Sequence, residues 1–285
     1  MVFQISADTN RSRRTRECYS LPTMPPLNPL PVSIMQKIEI STLSYSYSSK
    51  ARILQNLNVT FMPGRTALLG PNGAGKSTLM SLMASVNSPS AGTVELSTPR
   101  GKRISSRQLS KYRRSVAWLP QDFAPVSGLS VLEHVWYAGW LKGMSRSAVK
   151  EAAPTALASV GLEALSAKKA TELSGGQQRR LGIAGALIHR ASVVLLDEPT
   201  AGLDPGQRDR FRQILASLDD DQITVVSTHQ TEDIDGSFDH VVVLVDGAVR
   251  FSGTVGDFMA VAPSSAVDPR DRVRLAYATF VEGEI

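Results

Sequence analysis

The chain of 285 residues is 42% hydrophobic and 20% charged, a composition ordinary for a soluble globular protein. Its formal net charge of +5 is too small to indicate nucleic-acid binding by itself, and its one cysteine excludes an intrachain disulfide. The longest apolar runs, such as Val241–Val245, are much shorter than the roughly 20 residues of a membrane-spanning helix, so we expect no such helix.

Residues 1–34 are rich in proline and arginine, in contrast to the rest of the chain. Proline removes backbone hydrogen-bond donors and disfavours regular structure, so the composition predicts a disordered tail. This tail is either simply solvated or an arm that binds a membrane surface or a partner. Because the first strand-like segment opens at Met35, a natural start at Met35 is a further hypothesis, in which residues 1–34 are not translated.

Alternating apolar and polar residues between Lys37 and Phe61 predict β-strands. The short apolar strand TALLG (66–70) then leads into a glycine-rich turn and an apolar helix, LMSLMASV (79–86). Strand, glycine-rich turn and helix, in this order, are the context that a phosphate-binding loop requires. TVELS (93–97) and KRIS (102–105) predict further short strands.

The glycine-rich turn fits the phosphate-loop spacing Gly70-x4-Gly75-Lys76-Ser77. Its glycines let backbone N–H groups surround phosphate oxygens, Lys76 reaches the β and γ phosphates, and the Ser77 hydroxyl can bind Mg²⁺. We therefore predict a nucleotide-phosphate site formed by Gly70, Pro71, Asn72, Gly73, Ala74, Gly75, Lys76, Ser77 and Thr78.

A helical insertion is predicted in the middle of the chain. The segment SVAWLPQ (115–121) predicts a strand that ends at a Pro-Gln pair. Between Ser127 and Glu172, apolar residues recur at spacings of three and four, as on the buried face of a helix. The change of period places this insertion within an α/β domain.

The α/β pattern resumes after the insertion. LSGGQQRR (173–180) opens a predicted helix, and SVVLLDE (192–198) and QITVVSTH (222–229) predict buried strands of the parallel type. HVVVLVDGAVRFSG (240–253) predicts a hairpin with an Asp246-Gly247 turn. The last forty residues predict short helices.

Two carboxylates, Asp197 and Glu198, stand at the end of an apolar strand. An aspartate in this position can enter the Mg²⁺ shell through water, and the adjacent glutamate can polarise the attacking water as general base. Such a pair is a weak signal alone, since acidic residues commonly end strands. Together with the upstream phosphate loop it predicts the second half of the site.

Five motifs, GPNGAGKST, LPQ, LSGGQQRR, LLDEPTAGLD and STH, occur in this order. The order resembles that of the ATP-binding cassette (ABC) ATPases, more particularly the nucleotide-binding subunit of an ABC transporter, over roughly Met35 to Val261. The resemblance implies a P-loop NTPase (RecA-like) α/β core with an N-terminal antiparallel β subdomain and an α-helical insertion subdomain at about 122–180. The cassette would span 35–262, followed by a short extension, 263–285.

The resemblance also implies roles that the residue pattern alone does not assign. Gln121 would contact Mg²⁺ and the attacking water, and His229 would touch the γ-phosphate. Ser77, Gln121 and Asp197 would then form the metal site, beside Glu198 as the base.

In this family the signature LSGGQ lies against the nucleotide of a second cassette, so ATP is bound between two cassettes. Asp204, in the AGLD turn, would lie near the phosphate loop of the partner. The residues expected against the partner's γ-phosphate are Ser174, Gly175, Gly176 and Gln177.

An aromatic side chain in the first strands of such cassettes stacks on adenine through its ring face. Tyr45 and Tyr47 are the two candidates here, and the family spacing to the following ILQN segment favours Tyr47. The alternative for either residue is an ordinary strand tyrosine.

The helical insertion would face the membrane subunit. Trp136, Tyr137 and Trp140 cluster on its first predicted helix. They either fill the core of the insertion or line a groove for a helix of the partner.

The chain is thus expected to bind and hydrolyse ATP with Mg²⁺ and to power translocation through a separate transmembrane permease subunit. It would pair with a second ABC ATPase subunit, identical or different, as a peripheral protein at the cytoplasmic face of the membrane, with no nucleic acid as partner. Export is favoured over import, because the chain lacks the extra regulatory domain that some importer subunits carry.

Two alternatives belong to other functional classes. One is a soluble, non-transport ABC-type ATPase in translation or DNA maintenance. The presence of one cassette, the short spacing from Gln121 to Leu173 and the single cysteine argue against it. The other is a different phosphate-loop enzyme, such as a kinase, against which LSGGQ and STH argue.

Overall fold

The computed structural model describes residues 36–48, 51–99, 101–234, 236–263, 266 and 268–281. The predicted tail and the hypothetical start at Met35 lie outside these ranges, as do residues 282–285. No helix of the described part has both the length and the apolar character that crossing a bilayer requires.

The elements of the described part alternate between strands and helices. The strands are β1 (Lys37–Ser48), β2 (Ala51–Phe61), β3 (Gly64–Leu69), β4 (Ala91–Ser97), β5 (Arg103–Ser105), β6 (Val116–Leu119), β7 (Val193–Asp197), β8 (Ile223–Thr228), β9 (His240–Val245) and β10 (Ala248–Thr254). The α-helices are α1 (Lys76–Met83), α2 (Leu109–Ser115), α3 (Val131–Leu141), α4 (Arg146–Ser159), α5 (Gly175–Leu187), α6 (Pro205–Ala216), α7 (Val255–Ala260) and α8 (Pro269–Val281). Short 3₁₀ helices are Glu163–Leu165, Ala170–Glu172 and Thr231–Asp233.

An antiparallel sheet contains the first strands, in the order β2-β1-β4-β5. Ile38 pairs with Phe61 on β2 and with Leu96 on β4, and all three side chains are buried. The alternating pattern therefore puts one face of this sheet into a core, as expected for such a layer. The predicted strands of this region and the antiparallel β subdomain are confirmed.

A second sheet has the order β10-β9-β3-β8-β7-β6, in which the strands from β9 to β6 are parallel and β10 is antiparallel. β7 and β8 are buried along their whole length, as are strands covered on both faces. Because β8 lies between β3 and β7, the residues that follow these strands meet at one edge of the sheet. The phosphate loop, the Asp197-Glu198 pair and His229 are brought together there.

The helical insertion contains α3 and α4, which pack against each other and against α5. Val135 is fully buried in this core, and Trp136 packs against it. Tyr137 and Trp140 stack at a centroid separation of 6.1 Å and are exposed. The aromatic cluster is thus divided between the core of the insertion and its surface. Because α5 also contacts β6 and β7, it joins the insertion to the α/β core.

The predicted Asp246-Gly247 hairpin turn is confirmed, with φ of 49° and 72° at the two residues. Positive φ at both positions is what a two-residue type I′ turn requires. The Gly247 N–H donates to the backbone oxygen of Ala74, in the phosphate loop, at 3.1 Å. A Cβ at Gly247 would overlap the backbone oxygen of Ile53. The turn therefore supports the phosphate loop and β2 at close range.

The C-terminal part contains α7 and α8, which confirms the expected short helices. α8 packs against α7, β9 and the 3₁₀ helix Thr231–Asp233.

Two helices, α2 and α6, are absent from the sequence-based prediction. Tyr112 is the one fully buried side chain of α2, so no apolar period marks that helix. For α6 the signals were present, namely Asp204 as N-cap and proline at the first position.

Replacing Gly247 by alanine tests the support that the hairpin gives to the phosphate loop. Gly247→Ala should lower the free energy of unfolding by about 2–3 kcal/mol. Alanine would be strained at the positive φ of this position, and its Cβ would overlap the backbone oxygen of Ile53. Gly128→Ala is the matched control, since Gly128 has φ of 86° and open space around a Cβ, and should cost about 1 kcal/mol. Equal losses in urea unfolding would show that the close contact is unimportant.

Candidate functional site

The phosphate loop connects β3 to α1. Gly73 and Gly75 have φ of 84° and 100°, a region that glycine adopts without the steric cost of a Cβ. A Cβ at Gly75 would also approach the Leu54 side chain to 2.9 Å. The loop borders a cavity of about 400 Å³, within the usual size range of small-molecule sites. The cavity is lined by Ile53, Asn72, Gly73, Gly75, Lys76, Ser77, Thr78, Gln121 and Glu198.

The Lys76 side chain is buried and lines this cavity. Its ammonium donates to the backbone oxygens of Gly70 at 2.7 Å and Pro71 at 3.1 Å, and lies 3.7 Å from Glu198 Oε1. Burial lowers the pKa of Lys76, while the carboxylates of Glu198 and Asp197 oppose this change. The two carboxylates therefore favour the cationic form, which the predicted binding of phosphate would need.

The Glu198 carboxylate is where the predicted catalytic side chains meet. Gln121 Nε2 lies 3.4 Å from Oε2, and His229 Nδ1 lies 3.4 Å from Oε1. Glu198 is only 8% exposed, and its backbone has the left-handed φ of 43°. Its N–H donates to Ser227 Oγ at 2.8 Å, which helps to hold this uncommon conformation. Backbone strain of this kind is concentrated at functional sites.

Asp197 is buried beside two hydroxyl groups. Ser227 Oγ donates to Asp197 Oδ1 at 2.5 Å, and the Ser77 hydroxyl also hydrogen-bonds to this carboxylate. Burial raises the pKa of Asp197, and the hydrogen bonds from Ser227 and Ser77 oppose the rise. A carboxylate next to the first hydroxyl of α1 offers the oxygen ligands that Mg²⁺ prefers.

The donor set fits a metal that is shared with a substrate. Across the described ranges, no three His, Cys, Asp or Glu side chains form a metal-binding cluster. Mg²⁺ is usually held by one or two protein groups, with water and substrate phosphates as the remaining ligands. Asp197, Ser77 and the nearby Gln121 amide suit that mode of binding better than an all-protein site.

Of the two candidate aromatic residues, Tyr47 lies at the phosphate loop. Its hydroxyl is 3.3 Å from Thr78 Oγ1, and 63% of the residue is exposed. Tyr45 packs against the core of the antiparallel sheet and contacts Tyr47 edge to face, with centroids 5.0 Å apart. Tyr47 is thus the ring with a free surface next to the cavity.

The signature residues lie away from the phosphate cavity. Ser174 is the N-cap of α5, where its hydroxyl accepts from Gln177 N at 3.4 Å and Gln177 Oε1 accepts from Ser174 N at 3.0 Å. Ser174 and Gly175 are exposed, and Gly176 packs against Gln207 of α6. Asp204 caps α6 and is exposed. The described chain therefore does not bring these residues to the cavity formed by its own phosphate loop.

Three residues contribute to the site in ways that the sequence did not predict. Ser227 bridges Asp197 and the Glu198 backbone, Ile53 lines the cavity, and Arg179 donates to the backbone oxygens of Pro120 and Gln121 at 3.1 and 2.8 Å. Ser227 belongs to the STH motif, but its role depends on the pairing of β7 with β8, in which Asp197 faces Ser227. Arg179 follows the signature and links α5 to the strand end that carries Gln121.

The comparisons with known proteins agree with this geometry. The family model described as ABC transporter matches residues 54–201. The chain is 34% identical over 239 residues to the phosphonates import ATP-binding protein PhnC of Thiobacillus denitrificans, covering 80% of this chain and 91% of that protein. It is 34% identical over 202 residues to the human retinal-specific phospholipid-transporting ATPase ABCA4, covering 70% of this chain and 9% of that protein.

The chain thus spans a small part of some relatives and nearly all of others. Among solved structures, cbiO1 from Clostridium perfringens, part of the ABC transporter complex cbiONQ, is 30% identical with a TM-score of 0.68. That match covers 78% of this chain and 90% of the cbiO1 chain. The predicted P-loop NTPase architecture is confirmed by such neighbours. The chain therefore belongs to the ABC transporter family and carries its ATP-binding cassette.

Proposed function

We propose that this chain binds ATP, hydrolyses it with Mg²⁺, and so powers substrate movement through a separate transmembrane permease subunit. The observation that carries the proposal is the Glu198 carboxylate, which lies within 3.4–3.7 Å of Lys76, Gln121 and His229 beside the phosphate cavity. Hydrolysis of a phosphoanhydride depends mainly on positioning and on electrostatic stabilisation, and these groups provide both.

Each side chain has a distinct task in this proposal. Lys76 and the N–H groups of the phosphate loop bind the β and γ phosphates, and Glu198 orients the attacking water and accepts its proton. Gln121 and His229 hold the water and the γ-phosphate. Bound Mg²⁺, held by Ser77, Asp197 and Gln121, would neutralise charge on the phosphate oxygens.

The adenine is proposed to stack on Tyr47, with Ile53 as an apolar neighbour. Tyr47 presents an exposed ring next to Thr78, while Tyr45 is engaged in packing. Stacking on a ring face contributes affinity with little selectivity among bases.

The active unit is proposed to be a pair of cassettes, formed with a second copy or with a different ABC ATPase subunit. The exposed Ser174-Gly175 pair stands at the N-terminus of α5, where backbone N–H groups and the helix dipole favour an anion. In the pair this terminus would bind the γ-phosphate held by the partner, together with Gly176 and Gln177. Asp204 would lie at the interface between the cassettes.

The proposed location is peripheral, at the cytoplasmic face of a membrane.

The preference for export finds no support, because a relative that aligns over most of this chain is named for phosphonates import. The proposal therefore includes no direction of transport. A soluble ATPase without a transport role is not favoured, since the relatives compared above are named as transport proteins.

Isolation of the full-length protein from the cells that produce it tests the transport role. The chain should be found in the membrane fraction and co-purify in detergent with a protein that has several membrane-spanning segments. ATP hydrolysis by this complex should require Mg²⁺ and be abolished by Lys76→Ala. Recovery of all the protein and all its ATPase activity in the soluble fraction would contradict the transport role.

Mixing two inactive variants tests the paired site. Lys76→Ala removes the phosphate-loop cation, and Gly175→Asp puts a negative charge at the signature, where a side chain meets open space. A 1:1 mixture of the two variants should recover about a quarter of wild-type hydrolysis, because about half of the dimers are mixed and each of these keeps one of its two sites.

The control for this experiment mixes Lys76→Ala with a Lys76→Ala/Gly175→Asp double variant, which leaves no intact site in any dimer. No recovery in the first mixture, with full wild-type activity in dilute monomers, would show that the signature does not act on a partner's nucleotide.

A further inference from the structure

A buried carboxylate outside the residues assigned above connects two segments of the site. Asp233 lies four residues after His229 and is 9% exposed. Its Oδ2 accepts hydrogen bonds from Thr228 Oγ1 at 2.7 Å and from Thr200 Oγ1 at 2.9 Å. Both threonines are buried as well. One oxygen atom therefore joins the end of β8 to the turn that follows β7.

The first of these hydrogen bonds fixes the turn that carries His229. Thr228 immediately precedes the histidine, and its Oγ1 also accepts from the N–H of Gln230 at 3.0 Å. The N–H of Asp233 donates to the Gln230 oxygen at 3.3 Å. His229 is thus flanked on both sides by residues that are tied to Asp233.

The second hydrogen bond fixes the turn that leads from Glu198 to Asp204. Thr200 lies two residues after Glu198, and its backbone oxygen accepts from Leu203 N at 3.2 Å. Within the same turn, the N–H of Ala201 donates to the Glu198 oxygen at 3.2 Å. The position of Thr200 therefore affects both the glutamate and the exposed turn that ends at Asp204.

Asp233 lies among both apolar and cationic side chains. Phe211, Phe238, Arg208 and Arg212 line a narrow cavity that Asp233 also borders, and α8 packs against the 3₁₀ helix that contains Asp233. Burying a carboxylate costs free energy unless hydrogen bonds or opposite charges compensate. Hydrogen bonds from hydroxyl groups to a carboxylate are short and strong, so they hold the two threonines more tightly than a neutral acceptor would.

We propose that Asp233 is a positioning residue for ATP hydrolysis. It holds Thr228 and Thr200 at a fixed separation, and so sets His229 relative to Glu198 and to the Asp204 turn. It touches neither ATP nor the reacting atoms. The inference rests on the proposed function, because it assumes that Glu198 and His229 act in hydrolysis.

Asp233→Ala tests the inference in the full-length chain by steady-state hydrolysis. We expect kcat to fall about 10- to 100-fold, because small displacements of reacting groups have effects of this size, while KM for ATP stays within about 3-fold. Asp233→Asn keeps an acceptor oxygen in the same place and should recover part of the lost kcat, but less than all of it, because a neutral acceptor holds the threonines less tightly. Thermal unfolding of every variant is measured in parallel.

Asp257→Ala is the matched control. Asp257 Oδ2 also accepts from a threonine hydroxyl, Thr254 Oγ1, at 2.7 Å, but it lies at the start of α7. Its loss should leave kcat unchanged. Wild-type kcat in Asp233→Ala would overturn the inference, as would parallel losses of kcat and ATP affinity that merely follow a lower unfolding temperature.

Thr228→Val keeps the shape of the side chain and supplies a second test if Asp233→Ala does not fold. Thr228→Val should also lower kcat. The Asp233→Ala/Thr200→Val double variant should be no slower than Asp233→Ala alone, because both changes remove the same contact. Additive losses, or full activity in Thr228→Val, would contradict a shared contact. An inactive wild-type protein would instead contradict the proposed function, which separates the two failures.

Discussion

A single buried residue, Glu198, connects the three strand ends on which this site depends. Glu198 follows β7, its backbone N–H donates to Ser227 Oγ at the end of β8, and its carboxylate lies beside Lys76, which follows β3. The parallel order β3-β8-β7 places these ends side by side. A shift of any one of these strands would change the distances at this carboxylate, so the sheet order is the constraint from which the chemistry follows.

Further contacts hold the three strand ends in place. The hairpin turn at Gly247 supports the phosphate loop through Ala74, while Asp233 ties together the turns that follow β7 and β8. The helical insertion is connected differently, because Arg179 on α5 binds the backbone of Gln121. A rotation of the insertion would therefore move the Gln121 amide relative to Glu198, which provides a physical route between the insertion and the proposed hydrolytic site.

The features predicted correctly from the sequence depend on residues that are close together in the chain. The contacts that were missed depend on strand register. Lys76 and Asp197 are identified by local spacing, and the buried strands and the Asp246-Gly247 turn by apolar pattern and turn chemistry. Ser227 meets Asp197, and Asp233 meets Thr200, only when β7 and β8 pair in a particular register. No local pattern marks such long-range contacts, since a serine or an aspartate near a strand end is common. The signature residues remain a prediction about a paired chain.

The most direct measurement of the central claim is nucleotide binding and hydrolysis in a Glu198→Gln variant of the full-length chain. The amide keeps the shape of the side chain but cannot accept a proton from water. The account predicts ATP affinity within about 3-fold of wild type and hydrolysis reduced by about 100-fold or more. Steady-state hydrolysis at the wild-type rate, with ATP bound normally, would contradict it.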